Sequence, residues 1–145
     1  MNFLAHCLLA DQVGAGAGGL TGAVLGDFLK GGLDPNLPEP VAAGVRLHRR
    51  VDALSNRLAG VGQSIARFPA PHRRYAPIYV DIIADHLLAN TFANYCEEPL
   101  PTFSQRCYQA IDAHRSLFPA ASSRFVDWMI ETDLLSSYRS LDAVE

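Results

Sequence analysis

"VRLHRRVDALSN", residues 45–56, sets one histidine, three arginines and one aspartate among residues that are otherwise mostly apolar. The spacing of Val45, Leu47, Val51 and Leu54 reads as part of a core helix rather than an alternating strand. On a helix, His48 and Asp52 stand at i and i+4, on one face and about 6 Å apart. Burying a carboxylate among apolar neighbours is expensive unless a cation or hydrogen bonds compensate it. The stretch therefore raises two linked expectations, a helical fold and a polar centre inside it.

Outward from this segment, period-3.6 apolar patterns dominate and alternating β-branched runs are scarce. Helices are expected at about 2–12, 20–31, 40–67, 73–95, 102–117 and 122–141, with Ser122 or Ser123 capping the last. Breakers fall between most of them: the glycine run after Val13, "DPNLPEP" at 34–40, "FPAPH" at 68–72 and "EEPLP" at 97–101. The expected fold class is all-α, one helical bundle in a single domain. A chain of 145 residues fits one domain and buries on the order of two thirds of its unfolded surface. The glycine run contains a formal GxGxxG at Gly14, Gly16 and Gly19, but no strand precedes it and no βαβ unit follows. A flexible interhelical loop is the expectation there. The aromatic residues, Trp128 included, have the spacing of ordinary core; His72 and His114 read as surface residues.

Composition narrows the function classes. Nearly half the residues are apolar and about a fifth charged, and no segment approaches the roughly 18 unbroken apolar residues of a membrane span. "MNFLAHCLLA" lacks a basic n-region and carries His6, which argues against a secretory signal. Cys7, Cys96 and Cys107 are odd in number and show no CxxC spacing, as expected of reduced thiols in a cytoplasmic protein. Net charge is only −3, yet residues 46–74 hold seven arginines against one acid, Asp52. An arginine block in an otherwise acidic chain points to a local anion or partner site, with Arg46, Arg57, Arg73 and Arg74 on it, rather than to nucleic acid. A solvated helix face is the plainer account of the same residues.

The chemistry-bearing pattern recurs downstream. "PIYVDIIADHLLAN", residues 77–90, places Asp81 and Asp85 at i and i+4 with His86 beside them, again among apolar residues. Asp27 in "LGDFLKG" and His6 are further candidates. Apolar helices that aim a few polar side chains at a common centre are how helical bundles build metal sites. His48, Asp52, Asp85 and His86 are the expected ligands, with Asp81 more remote. A nitrogen and oxygen set without thiolate suits Mn²⁺, Mg²⁺ or Fe²⁺ better than structural zinc. A metal there would polarise a phosphoryl oxygen and activate water, and Arg49 and Arg50 would neutralise charge on a phosphate. Taken singly, each residue has a simpler account: His48 as a satisfied core histidine, Asp52 as the partner of Arg49 or Arg57.

"MNFLAH", "GAVLGDFLKG" at 22–31, "AGVRLHRRVDALSN" at 43–56 and "API…D…DHLLAN" at 76–90 together resemble the acyl carrier protein phosphodiesterase family. That family removes the phosphopantetheine arm from holo acyl carrier protein and resembles the HD-domain metal phosphohydrolases, all-helical and manganese-dependent. The resemblance implies phosphodiester hydrolysis, with His48, Asp52, Asp85 and His86 in the site and Asp27 at the acidic position of the family's "GDF" motif. It also implies an acidic helical protein as partner for the arginine block. Where the family usually has Asp after "HRRIDxxT", this chain has Asn56, which hydrogen-bonds but carries no charge. Family members usually continue for a helix or two beyond "SLDAVE", so an apolar face open to self-association is expected. Two other readings stand beside the carrier-protein hydrolase. One is an HD-like phosphohydrolase of a small phosphorylated metabolite or nucleotide; the other is a non-catalytic helical module that binds carrier protein.

Overall fold

The computed structural model describes residues 2–140. The fold is all-α. Its helices are α1 (Phe3–Gln12), α2 (Gly16–Leu25), α3 (Glu39–Ser55), α4 (Ala59–Ala66), α5 (Ala76–Asn90), α6 (Leu100–Ala113), α7 (Ser123–Glu131) and the short α8 (Leu134–Ser137). Among the described residues there is no strand, and no helix is long and apolar enough to cross a membrane.

The glycine run is the main departure from the expected layout. Gly14, at φ 70°, ends α1 in the left-handed conformation that glycine adopts without penalty. From Gly16 onward the segment is helix, not flexible loop, and eight of the ten residues of α2 are buried. A helix surrounded on every side needs no polar face, and α2 is enclosed by α1, α3 and α6. Its glycines decide how closely α3 lies. A methyl group built on Gly18 would meet Pro40 Cβ at 2.5 Å, one on Gly22 the Gly44 backbone at 2.6 Å, and one on Gly26 the His48 ring at 2.5 Å. Each step of four along α2 matches a step of four along α3, so the two helices run parallel in near-backbone contact. Residues 26–38 must therefore carry the chain back along the pair.

Apolar residues from all the long helices except α4 close the core, among them Phe3, Leu20, Val45, Phe103, Ile111 and Met129. Two expected long helices are interrupted. The 40–67 helix stops at Ser55 and restarts at Ala59; α4 has no buried residue, so no core contact holds the two in line. The final helix breaks at Asp133, which sits at φ 47°. There the Tyr108 hydroxyl donates to Asp133 Oδ1 at 2.9 Å and accepts from the Leu135 amide at 2.9 Å, fixing the turn. Residue 141, expected as the end of this helix, lies outside the described residues. Ser122 precedes α7 without capping it, because its hydroxyl bonds the Pro119 carbonyl instead. Trp128, expected in the core, is 47% exposed on α7. His114 is half-buried rather than on the surface, its Nδ1 donating to the Ala110 carbonyl.

Gly22→Ala should therefore cost about 1–3 kcal/mol, since the added methyl meets backbone that has nowhere to move. Gly62→Ala, inside α4 with nothing within 4 Å, should instead gain up to about 1 kcal/mol from helix propensity. Urea denaturation of both variants checks this; equal effects would mean that the α2–α3 contact is not limiting.

Candidate active site

Three helices deliver the polar centre. His48 on α3 is buried, and its Nδ1 donates to the Ala23 carbonyl of α2 at 2.8 Å. That bond fixes the ring orientation and leaves Nε2 facing two carboxylates: Asp52 Oδ2 at 3.3 Å and Asp27 Oδ1 at 3.5 Å. His6, one turn into α1, stacks on His48 with ring centroids 3.9 Å apart, and its Nε2 lies 2.9 Å from Asp52 Oδ1. His6, His48 and Asp52 present ligand atoms all within 4.8 Å of one another. Both rings are almost inaccessible, whereas the Asp52 carboxylate is 46% exposed. The centre thus opens to solvent on the Asp52 side.

The electrostatics separate the two histidines. Burial pushes His6 down to about 4, and the adjacent His48 acts in the same direction against the pull of Asp52. His48 is also penalised by burial, but the Asp27 hydrogen bond, the Ala23 carbonyl and the charges of Asp27 and Asp52 hold it above its ordinary value. Stacked rings at 3.9 Å do not both charge, so the pair takes one proton and His48 holds it. Burial works against ionisation of Asp27, yet its bond to His48 and the two nearby histidines keep it below the usual carboxylate range. Asp27 is thus an anion, and among the described residues its buried Oδ2 has no hydrogen-bond partner; neither has the buried His6 Nδ1.

The other expected site residues are not part of the His6–His48–Asp52 cluster. Asp85 is fully buried on α5, but its oxygens accept the Leu4 and Ala5 amides at 2.9 and 3.0 Å, at the start of α1. His86 donates from Nδ1 to the Tyr138 carbonyl at 2.8 Å and so ties α5 to the end of the described chain. Asp81 is half-buried one turn before Asp85. Arg49 donates to the Gly31 and Leu29 carbonyls at 2.8 and 3.1 Å, bracing the turn after α2, while Arg50 is exposed one residue further. Asn56 is exposed at the end of α3. The i, i+4 spacing on α3 brings His48 and Asp52 together, whereas Asp85 and His86 make their hydrogen bonds to the first turn of α1 and to Tyr138. His6 has a larger part than expected; its signal was a single ionisable side chain in an apolar helix.

Of the arginine block, Arg46 pairs with Glu39, Arg73 reaches the Phe68 carbonyl at 3.3 Å, and Arg74 lies over the Tyr75 ring at 4.5 Å. Arg50, Arg57, Arg67, Arg73 and Arg74 have no carboxylate partner among the described residues and are exposed. Leu54 and Leu58 are 61% and 60% exposed between them. Phe68, Pro69 and His72 from the α4–α5 connection and Tyr79 and Ile83 from α5 line an open groove of about 290 Å³.

The chain as a whole is similar in sequence to known proteins. Acyl carrier protein phosphodiesterases of Escherichia coli O6:H1 (strain CFT073), O139:H28 (strain E24377A) and strain K12 / DH10B are each 32% identical to the chain over 149 aligned residues, spanning all of it and 74% of each relative. No solved structure matches. The family model described as acyl carrier protein phosphodiesterase matches residues 1–145, its whole length, and the chain belongs to that family.

Proposed function

We propose that this protein is a metal-dependent phosphodiesterase of the cytoplasm that releases 4′-phosphopantetheine from holo acyl carrier protein. The observation that carries the metal part is the His6–His48–Asp52 cluster, with ligand atoms within 4.8 Å. Its donor chemistry fits a divalent cation. His48 gives its Nδ1 proton to a backbone carbonyl, the outer contact that turns Nε2 into a ligand, and His6 stays neutral at physiological pH. Asp27 Oδ2, buried and without a hydrogen-bond partner among the described residues, adds a second carboxylate beside the cluster, and an unpaired buried acceptor costs about 1–3 kcal/mol. The nitrogen–oxygen set favours Mn²⁺, with Mg²⁺ or Fe²⁺ as alternatives. A divalent cation supplies Lewis-acid activation of water and of the phosphoryl group.

The chain's own residues supply the rest. Asp27, ionised beside His48, is the base that takes a proton from the attacking water. Asp52 lies at the solvent opening, where a phosphodiester enters. Arg50, exposed two residues before it on α3, would neutralise the phosphate's charge; Arg49 contributes by holding residues 29–31 in place. The unpaired arginines from 50 to 74, with Leu54, Leu58 and the groove at Phe68 and Tyr79, suit an acidic helical partner with an apolar stripe.

Mass spectrometry of holo acyl carrier protein incubated with the chain should reveal loss of the phosphopantetheine mass with Mn²⁺ and none with chelator. Loss in chelator would remove the metal; no loss by the folded, metal-supplied chain would remove the reaction. His48→Ala and Asp52→Ala should each lower activity at least about 100-fold with helical content retained in circular dichroism.

Raising salt from about 50 to about 500 mM should slow turnover of holo carrier protein at least about tenfold, and that of a small phosphodiester less than about twofold. Equal sensitivity would favour a small phosphorylated substrate over a docked protein.

Metal binding displaces the proton from His48. Because His48 is held above its ordinary value, Mn²⁺ affinity should be greater at about pH 8 than at about pH 6 by calorimetry. The metal-free chain has its own pH response. His6 is lowered from 6.5 to about 4 on folding, so the unfolded chain binds more protons between those values. Stability should therefore be lost as pH falls through that window, with His6→Ala flattening the profile.

A further inference from the structure

Asp85 is the one fully buried carboxylate among the described residues, at 0% exposure, and the centre at His48 does not use it. It lies on α5 and grips another helix. Its Oδ2 accepts the Leu4 amide at 2.9 Å and its Oδ1 the Ala5 amide at 3.0 Å. Those amides belong to the first turn of α1, where helix N–H groups have no partner within the helix. Asn2, which precedes α1, makes no side-chain cap of its own. The carboxylate therefore closes two open donors and complements the positive end of the helix dipole.

This grip is costly. Burial pushes Asp85 up to about 7 in spite of the two amide bonds that favour its ionised form. An apolar residue would fill the same space without that penalty, as replacements of buried charges often do. What the carboxylate adds is direction: two hydrogen bonds fix both the height and the rotation of α1, which packing of Phe3 and Leu4 alone does not.

His6 is the next residue. Its amide continues the first turn to the Asn2 carbonyl at 3.2 Å, and its ring must meet Asp52 at 2.9 Å and stack on His48 at 3.9 Å. The far end of α1 is held separately, by Arg106 on Asp11 at 2.7 Å. We infer that Asp85 is a positioning residue for His6, clamping the first turn of α1 so that the imidazole is delivered to the His48–Asp52 centre. The inference rests on the proposed metal site for its functional readout, but the placement of the His6 ring is measurable without metal or activity.

A double-mutant cycle tests it. Asp85→Asn keeps the shape but turns one acceptor into a donor facing an amide. It should lower Mn²⁺ affinity at least about tenfold by calorimetry, while the same change in a His6→Ala background should alter affinity by less than about twofold. Equal losses in both backgrounds would mean that Asp85 acts on the fold at large, and the inference would be overturned. In the metal-free chain, the His6 ring resonances should move in Asp85→Asn while those of exposed His72 stay in place; unmoved His6 resonances also overturn it. If the parent chain binds no Mn²⁺, the metal-site reading fails and the ring resonances still decide the positioning role. Should Asp85→Asn not fold, Asp85→Glu, which keeps the charge and displaces it by one methylene, is read the same way. Failure of both to fold would make Asp85 a general stability element and end the inference.

Discussion

The contact on which the remaining structure depends is the one between glycines of α2 and the backbone of α3. Gly18, Gly22 and Gly26 form a row four residues apart, and any side chain on that row would occupy space that α3 already fills. Close approach brings the Ala23 carbonyl within 2.8 Å of His48 Nδ1, which fixes the ring and its tautomer. It also brings Asp27, just past the end of α2, to the other nitrogen of the same imidazole. A wider helix separation would preserve a helical bundle and lose the centre, because neither contact tolerates an extra methyl group between the helices.

The second determinant is the price of burying charge. Two imidazoles stacked in an almost inaccessible position cannot both be cations, so the site divides them into a neutral His6 and a readily protonated His48. Asp27 and Asp52 balance that single charge, one from inside and one from the solvent edge. Such an arrangement gathers two ring nitrogens and two carboxylates around a small volume. Asp85 illustrates the other use of a buried carboxylate, in which backbone amides rather than a cation compensate it.

The surface carried by residues 50–74 has a different character from the rest of the chain. Arginines with no carboxylate partner among the described residues alternate with leucines that are three-fifths exposed. A solvated face has no need of exposed leucines, and a core face would not carry arginines. The combination suits a partner that is acidic and partly apolar, and it lies on the segment that begins two residues after His48, the last buried residue of α3.

Much of the fold was legible in residue spacing, because helical periodicity records which face of each segment is buried, whatever it is buried against. That sufficed for the all-α class, for most helix positions and for joining His48 to Asp52, since i, i+4 neighbours on one helix meet by local geometry alone. It did not suffice for α2: glycine is a breaker by local propensity, and only the neighbouring α3 backbone turns that liability into a packing surface. Nor did it suffice for "DH" at 85–86, where the same spacing of polar residues in an apolar helix served to cap α1 and to tie down Tyr138. The amino-acid sequence by itself determined which groups are ionisable and which helical face each occupies. The tertiary structure alone decided which of them share a centre, because His6, Asp27 and His48 lie on α1, just past α2 and on α3, and only packing sets the distance between helices.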